Sequence, residues 1–170
     1  GQFLCFAGML EKKEVSWVPS YGPEMRGGTA NCMVIVSDRQ IDSPVFEQCD
    51  AAVLMNGPSY DRFEKKVRPG GIILYNSSLI ESRNRRSDVT VIGVPANDIA
   101  ISRGSSQVAN MVMIGALLEL APIVTIDSVL ECLRKVLPAN RHHLLPLNRE
   151  AMEAGAEHIR ARPQDVKMVG

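Results

Sequence analysis

The sequence predicts an α/β protein: a three-layer α/β/α arrangement with an open, mostly parallel sheet and a helical C-terminal part. Three observations carry this. Short apolar, β-branched segments at 31–37 (NCMVIVS), 51–55 (AAVLM), 71–75 (GIILY) and 89–94 (VTVIGV) read as buried strands. Helix-forming stretches and turns separate them, as in a sheet covered on both faces. From Pro95 onward the apolar periodicity is helical to the end. A chain of 170 residues is most simply one domain, 1–170, and buries a core without disulfide or metal support.

The elements follow in order. Phe3, Leu4, Phe6, Ala7, Met9 and Leu10 suit a buried helix that stops near Glu11-Lys12-Lys13. Residues 14–18 form a short strand holding Trp17, and Pro19 ends it. A loop, SYGPEMRGGTAN, runs from Ser20 to Asn31. The 31–37 segment reads as a central strand, and 41–50 (IDSPVFEQCD) as a connector with one helical turn. After the 51–55 strand, Asn56-Gly57-Pro58-Ser59 leads into a helix over 60–67. Pro69-Gly70-Gly71 is a turn before the 71–75 strand. SRNRRSD (82–88) is polar and loop-like. Beyond the 89–94 strand, helices are predicted at 97–102, 107–120, 126–136 and 148–161. Thr125 or Asp127 caps the third of these and Pro138 ends it. The tail from Arg162 is extended.

Bulk composition excludes several classes. Nineteen Lys and Arg balance nineteen Asp and Glu, so no global charge favours nucleic acid or an anionic membrane. The longest apolar run, 111–118, is interrupted by Gly115 and falls short of a membrane span. No signal peptide is visible, and a cytoplasmic location is expected. Cys5, Cys32, Cys49 and Cys132 are widely spaced with no CxxC pair, so they read as buried free thiols and not as a zinc or iron–sulfur motif. His142-His143 lacks a supporting ligand at helical spacing, so no metal site is assigned. No Ser-His-Asp order, nucleophile elbow or dinucleotide fingerprint occurs.

The candidate site residues lie in loops. In the 20–31 loop, Tyr21 offers a phenolic hydroxyl, Pro23 fixes one backbone angle, and Gly22, Gly27 and Gly28 allow close backbone approach. Arg26 adds five fixed donors, so the turn suits a carboxylate or phosphate. A turn in which Glu24 simply pairs with Arg26 fits the same residues. Ligands of parallel sheets bind beyond the carboxyl ends of strands, which singles out the loops after Met55, Tyr75 and Val94. There Asn56 can cap a helix or border an anion site, and Asn97 with Asp98 occupies the equivalent place. Asn110, at the start of a buried helix, caps locally or points at a partner. Arg83, Arg85 and Arg86 suit a phosphate or acidic partner, or a solvated loop.

SYGPEMRGGTANC (20–32), a strand ending in Ser37-Asp38, Ser43-Pro44, RPGGIILYNSSLI (68–80), VPANDIA (94–100) and VANMVMIGALL (108–118) occur in that order. Together they resemble the gamma subunit of 2-oxoacid:ferredoxin oxidoreductases. The likeness covers roughly Trp17 to Leu120. It implies a component of an enzyme that converts a 2-oxoacid, CoA and oxidised ferredoxin into acyl-CoA, carbon dioxide and reduced ferredoxin. It further implies that thiamine diphosphate and Mg sit in alpha and beta partners, and iron–sulfur clusters in beta and a ferredoxin-like delta subunit. This chain binds no cofactor alone and has no catalytic residue of its own on that reading.

The carboxylate that activates thiamine is expected in alpha, so Glu24 does not take that role. The loop residues Tyr21 to Gly28, with Asn31, would border the CoA side or a subunit junction. Family members begin with a strand and a GxGGQG turn, whereas this sequence starts after that point; the likeness implies a gamma-type domain lacking both. A homodimer is expected when the chain is isolated. The alternative function is a free-standing nucleotide- or CoA-binding α/β module. An autonomous dehydrogenase is disfavoured by the missing fingerprint.

Overall fold

The computed structural model describes residues 1–20, 30–81 and 86–162. The described residues fall into two compact units, one drawn from Gly1–Phe46 and Pro122–Pro146, the other from Glu47–Ala121 and Leu147–Gly170. The fold is mixed α/β, with a parallel sheet as its core and a helical C-terminal region.

In the first unit, helix α1 (Gln2–Leu10) is followed by strands β1 (Glu14–Ser20) and β2 (Asn31–Ser37) and completed by helix α5 (Ile126–Val136). β1 and β2 pair antiparallel, from Glu14 opposite Ser37 to Ser20 opposite Asn31. The 31–37 segment is therefore not the central strand of a parallel sheet: among the described residues it pairs with β1 alone. Its unbroken apolar run fits either setting, because strand pairing direction leaves no trace in a single strand's composition. Helix α1 packs on both strands and on α5.

Thr125 caps α5 by accepting the Ser128 N–H at 3.1 Å. Glu11, at the end of α1, reaches the same cap: its Oε1 accepts from the Thr125 N–H at 2.7 Å and from the Thr125 hydroxyl at 2.9 Å. Burial alone would raise the Glu11 carboxyl. Hydrogen bonds from Thr125 and Ser128, with Lys13 nearby, outweigh it and hold the group below the ordinary glutamate range.

The second unit contains strands β3 (Cys49–Leu54), β4 (Val67–Asn76) and β5 (Thr90–Val94) in the parallel order β3-β4-β5. Helices α2 (Gly57–Phe63), α3 (Ala96–Ser102), α4 (Ala109–Leu120) and most of α6 (Leu145–Arg160) belong to it. The strand period places Ala52, Leu54, Ile73 and Tyr75 in one cluster with Tyr60, Val67, Ile80 and Val89. Tyr60 meets Tyr75 edge to face, with ring centroids 5.7 Å apart.

Three local expectations are corrected. No helical turn forms over 41–48, and Cys49-Asp50 already belong to β3. Pro69-Gly70-Gly71 lies inside β4 instead of preceding it, because the ladder slips there: Val67 pairs with Cys49 but Ile72 with Ala51. The extra residues bulge out, with Gly70 at φ 78°, a conformation glycine adopts at no steric cost. The four thiols are not alike: Cys5 and Cys132 are buried, Cys49 is half-buried and Cys32 is exposed.

Helices α4 and α6 cross at two glycines. A Cβ on Gly115 would overlap the Met152 carbonyl, and one on Gly155 the Val112 carbonyl. The backbones meet without intervening side chains.

Candidate functional site

The carboxyl ends of β4 and β5 carry a polar network centred on Asn76, the last residue of β4. This asparagine is 0% exposed. Its Oδ1 accepts from the Ser78 N–H at 3.3 Å and from the Ala96 N–H at 3.2 Å, and its Nδ2 donates to Asn97 Oδ1 at 2.8 Å. Ser78 in turn donates from Oγ to Asp98 Oδ2 at 2.9 Å and accepts the Asp98 N–H at 3.3 Å. The Ser77 N–H donates to the Val94 carbonyl at 2.9 Å. The end of β4 and its turn are thus joined to the first turn of α3 by four hydrogen bonds, while the Ser78–Asn76 bond braces the turn itself and the Ser77–Val94 bond ties it to the end of β5. A buried, satisfied amide of this kind fixes its neighbours, since any partner removed leaves a buried group unpaired.

The network occupies the position where parallel sheets present ligand sites. Asp98 is exposed there, and its Oδ1 has no hydrogen-bond partner among the described residues. Ser78 is bonded to that carboxylate and not to an imidazole, so the pair is an anchored polar rim and lacks the strong base of an acyl-transfer nucleophile.

Of the residues predicted as site members, Tyr21, Gly22, Pro23, Glu24, Arg26, Gly27 and Gly28 lie outside the described residues. Asn31 opens β2 and is half-buried. Asn56 is a helix cap: its Oδ1 accepts the Ser59 N–H at 2.9 Å at the start of α2. Asn97 joins the network through Asn76. Asn110 is exposed on α4, its Oδ1 accepting the Met111 N–H at 3.0 Å. Asn76 and Ser78 escaped sequence reading as site residues. The signal available was a polar residue closing an otherwise apolar strand, at a loop already singled out by topology.

Arg83 and Arg85 also lie outside the described residues. Arg86 is structural. Its Nη1 donates to the carbonyls of Glu64 at 2.8 Å and Val67 at 2.7 Å, and its Nε and Nη2 clamp the Asp88 carboxylate. That hydrogen-bonded pairing raises the Arg86 guanidinium further and lowers the Asp88 carboxyl.

Among the described residues no group of three or more His, Cys, Asp or Glu is placed to hold a metal ion. A ring nitrogen of His142 lies 3.0 Å from the Leu137 carbonyl and one of His143 lies 2.9 Å from the Asn140 carbonyl, so each neighbour is engaged locally. Burial pushes the Cys49 thiol up, and its Sγ lies 3.6 Å from the Lys66 carbonyl. No described helix is long and apolar enough to cross a membrane.

The sequence profile of the family described as pyruvate ferredoxin/flavodoxin oxidoreductase matches residues 1–158. Ketoisovalerate oxidoreductase subunit VorA of Methanothermobacter thermautotrophicus is 37% identical over 163 residues, covering 94% of this chain and 33% of the relative. The chain thus spans about a third of the length of the ketoisovalerate relatives it matches. The 2-oxoglutarate synthase subunit KorC of Methanocaldococcus jannaschii is 33% identical over 134 residues, covering 78% of this chain and 72% of the relative. Among solved structures, the gamma subunit of a keto/oxoacid ferredoxin oxidoreductase from Geobacter sulfurreducens superposes with a TM-score of 0.80 at 26% identity, over 95% of this chain and 89% of that one. The expectation from the 20–32 loop and its downstream motifs therefore holds across nearly the whole sequence, and the chain belongs to the 2-oxoacid:ferredoxin oxidoreductase family as a gamma-type subunit domain.

Proposed function

We propose that this chain is the assembly and CoA-side component of a CoA-dependent 2-oxoacid:ferredoxin oxidoreductase. The complex would convert a 2-oxoacid, CoA and oxidised ferredoxin into acyl-CoA, carbon dioxide and reduced ferredoxin. Alpha and beta chains would hold thiamine diphosphate, Mg and iron–sulfur clusters, with a ferredoxin-like delta chain delivering electrons to ferredoxin. On this reading residues 1–170 act as one gamma-type domain in the cytoplasm. The observation that carries the proposal is the family match over residues 1–158. The fixed polar rim at the carboxyl ends of β4 and β5 agrees with a surface built to be met from outside.

A branched-chain 2-oxoacid is the first choice of substrate, because ketoisovalerate relatives match over 94% of the chain at 37% and 35% identity; 2-oxoglutarate is the second. Arg26 would contact a carboxylate or phosphate, on CoA or on a partner, with Gly27 and Gly28 permitting close approach. Tyr21 and Glu24 would border the same junction.

Co-expression with the alpha and beta chains tests this. The chain should co-purify with them, and the complex should reduce ferredoxin in a CoA-dependent manner with one of four oxoacids: pyruvate, 2-oxoglutarate, ketoisovalerate or indolepyruvate. Arg26→Ala should raise the KM for CoA or oxoacid several-fold, or loosen the complex. Turnover by this polypeptide alone would overturn the assignment; unchanged kinetics and assembly in Arg26→Ala would remove the loop's role.

A further inference from the structure

We draw no further inference here: the strongest candidate, the uncharged face of α1 on which the half-buried Phe3 and Phe6 continue into the exposed Met9 and Leu10, carries nothing because nothing in the structure shows what covers it.

Discussion

Glu11 and Thr125 are 114 residues apart in sequence, yet one carboxylate oxygen of Glu11 takes both the backbone N–H and the hydroxyl of Thr125. The end of α1 therefore supplies part of the cap of α5, and the two helices of the first unit are joined at their termini as well as along their packed faces.

Removing either partner should destabilise the chain by different routes. Thr125→Ala loses the cap of α5 as well as the Glu11 contact and should cost about 1–2 kcal/mol. Glu11→Gln keeps an acceptor but no charge, and should cost about 0.5–1 kcal/mol. Urea unfolding of the two single variants and the double variant gives their coupling, which should be clearly non-zero because they share these bonds.

The same contact predicts a pH dependence. The Glu11 carboxyl is lowered in the folded chain, so folding favours its ionised form. Its contribution is complete above the ordinary glutamate value of about 4.3 and is lost as pH falls through the lower folded value. Stability measured from pH 7 downward should fall less steeply in Glu11→Gln over that acid window. Identical acid limbs in the two proteins would show that the carboxylate makes no such contribution.

Arg86→Lys should cost about 1–2 kcal/mol. A lysine ammonium cannot reach two carbonyls and a carboxylate in the fork geometry of guanidinium. The readout that separates this from ligand binding is kinetic: the assembled complex, once folded, should keep its KM for CoA. A raised KM at unchanged stability would return Arg86 to the list of anion-binding candidates.

At the α4–α6 crossing, Gly115→Ala and Gly155→Ala should each cost about 3 kcal/mol or abolish soluble expression. The new methyl group meets backbone, not a flexible side-chain end, so the helices must separate. Thermal unfolding of the two variants checks this. A near-neutral effect of either substitution would mean the crossing is looser than described.

Much of this molecule is legible before any coordinates. The apolar runs at 31–37, 51–55 and 89–94 announce the strands found at 31–37, 49–54 and 90–94, and α5 is announced by its Thr125 cap and terminal Pro138. Pairing direction is not legible: NCMVIVS is equally at home beside a parallel or an antiparallel neighbour. The Pro69-Gly70-Gly71 segment misleads because the residues that favour a turn also favour a bulge within a strand. Asn76 stays hidden because one asparagine after four apolar residues resembles the beginning of any loop. Only the converging N–H groups of Ser78 and Ala96 reveal what its side chain does. Arg86 shows the reverse error, a cation in a basic stretch whose donors are spent on its own chain.

Bare backbone against bare backbone at Gly115 and Gly155 leaves its mark on how this sequence is free to drift. The apolar residues elsewhere on α4 can trade methyl groups among themselves, each loss compensated by a neighbour's gain. At the crossing no exchange is available, since the smallest addition already exceeds the gap. In a library selected for folding, these two sites should retain glycine long after surrounding positions have diversified.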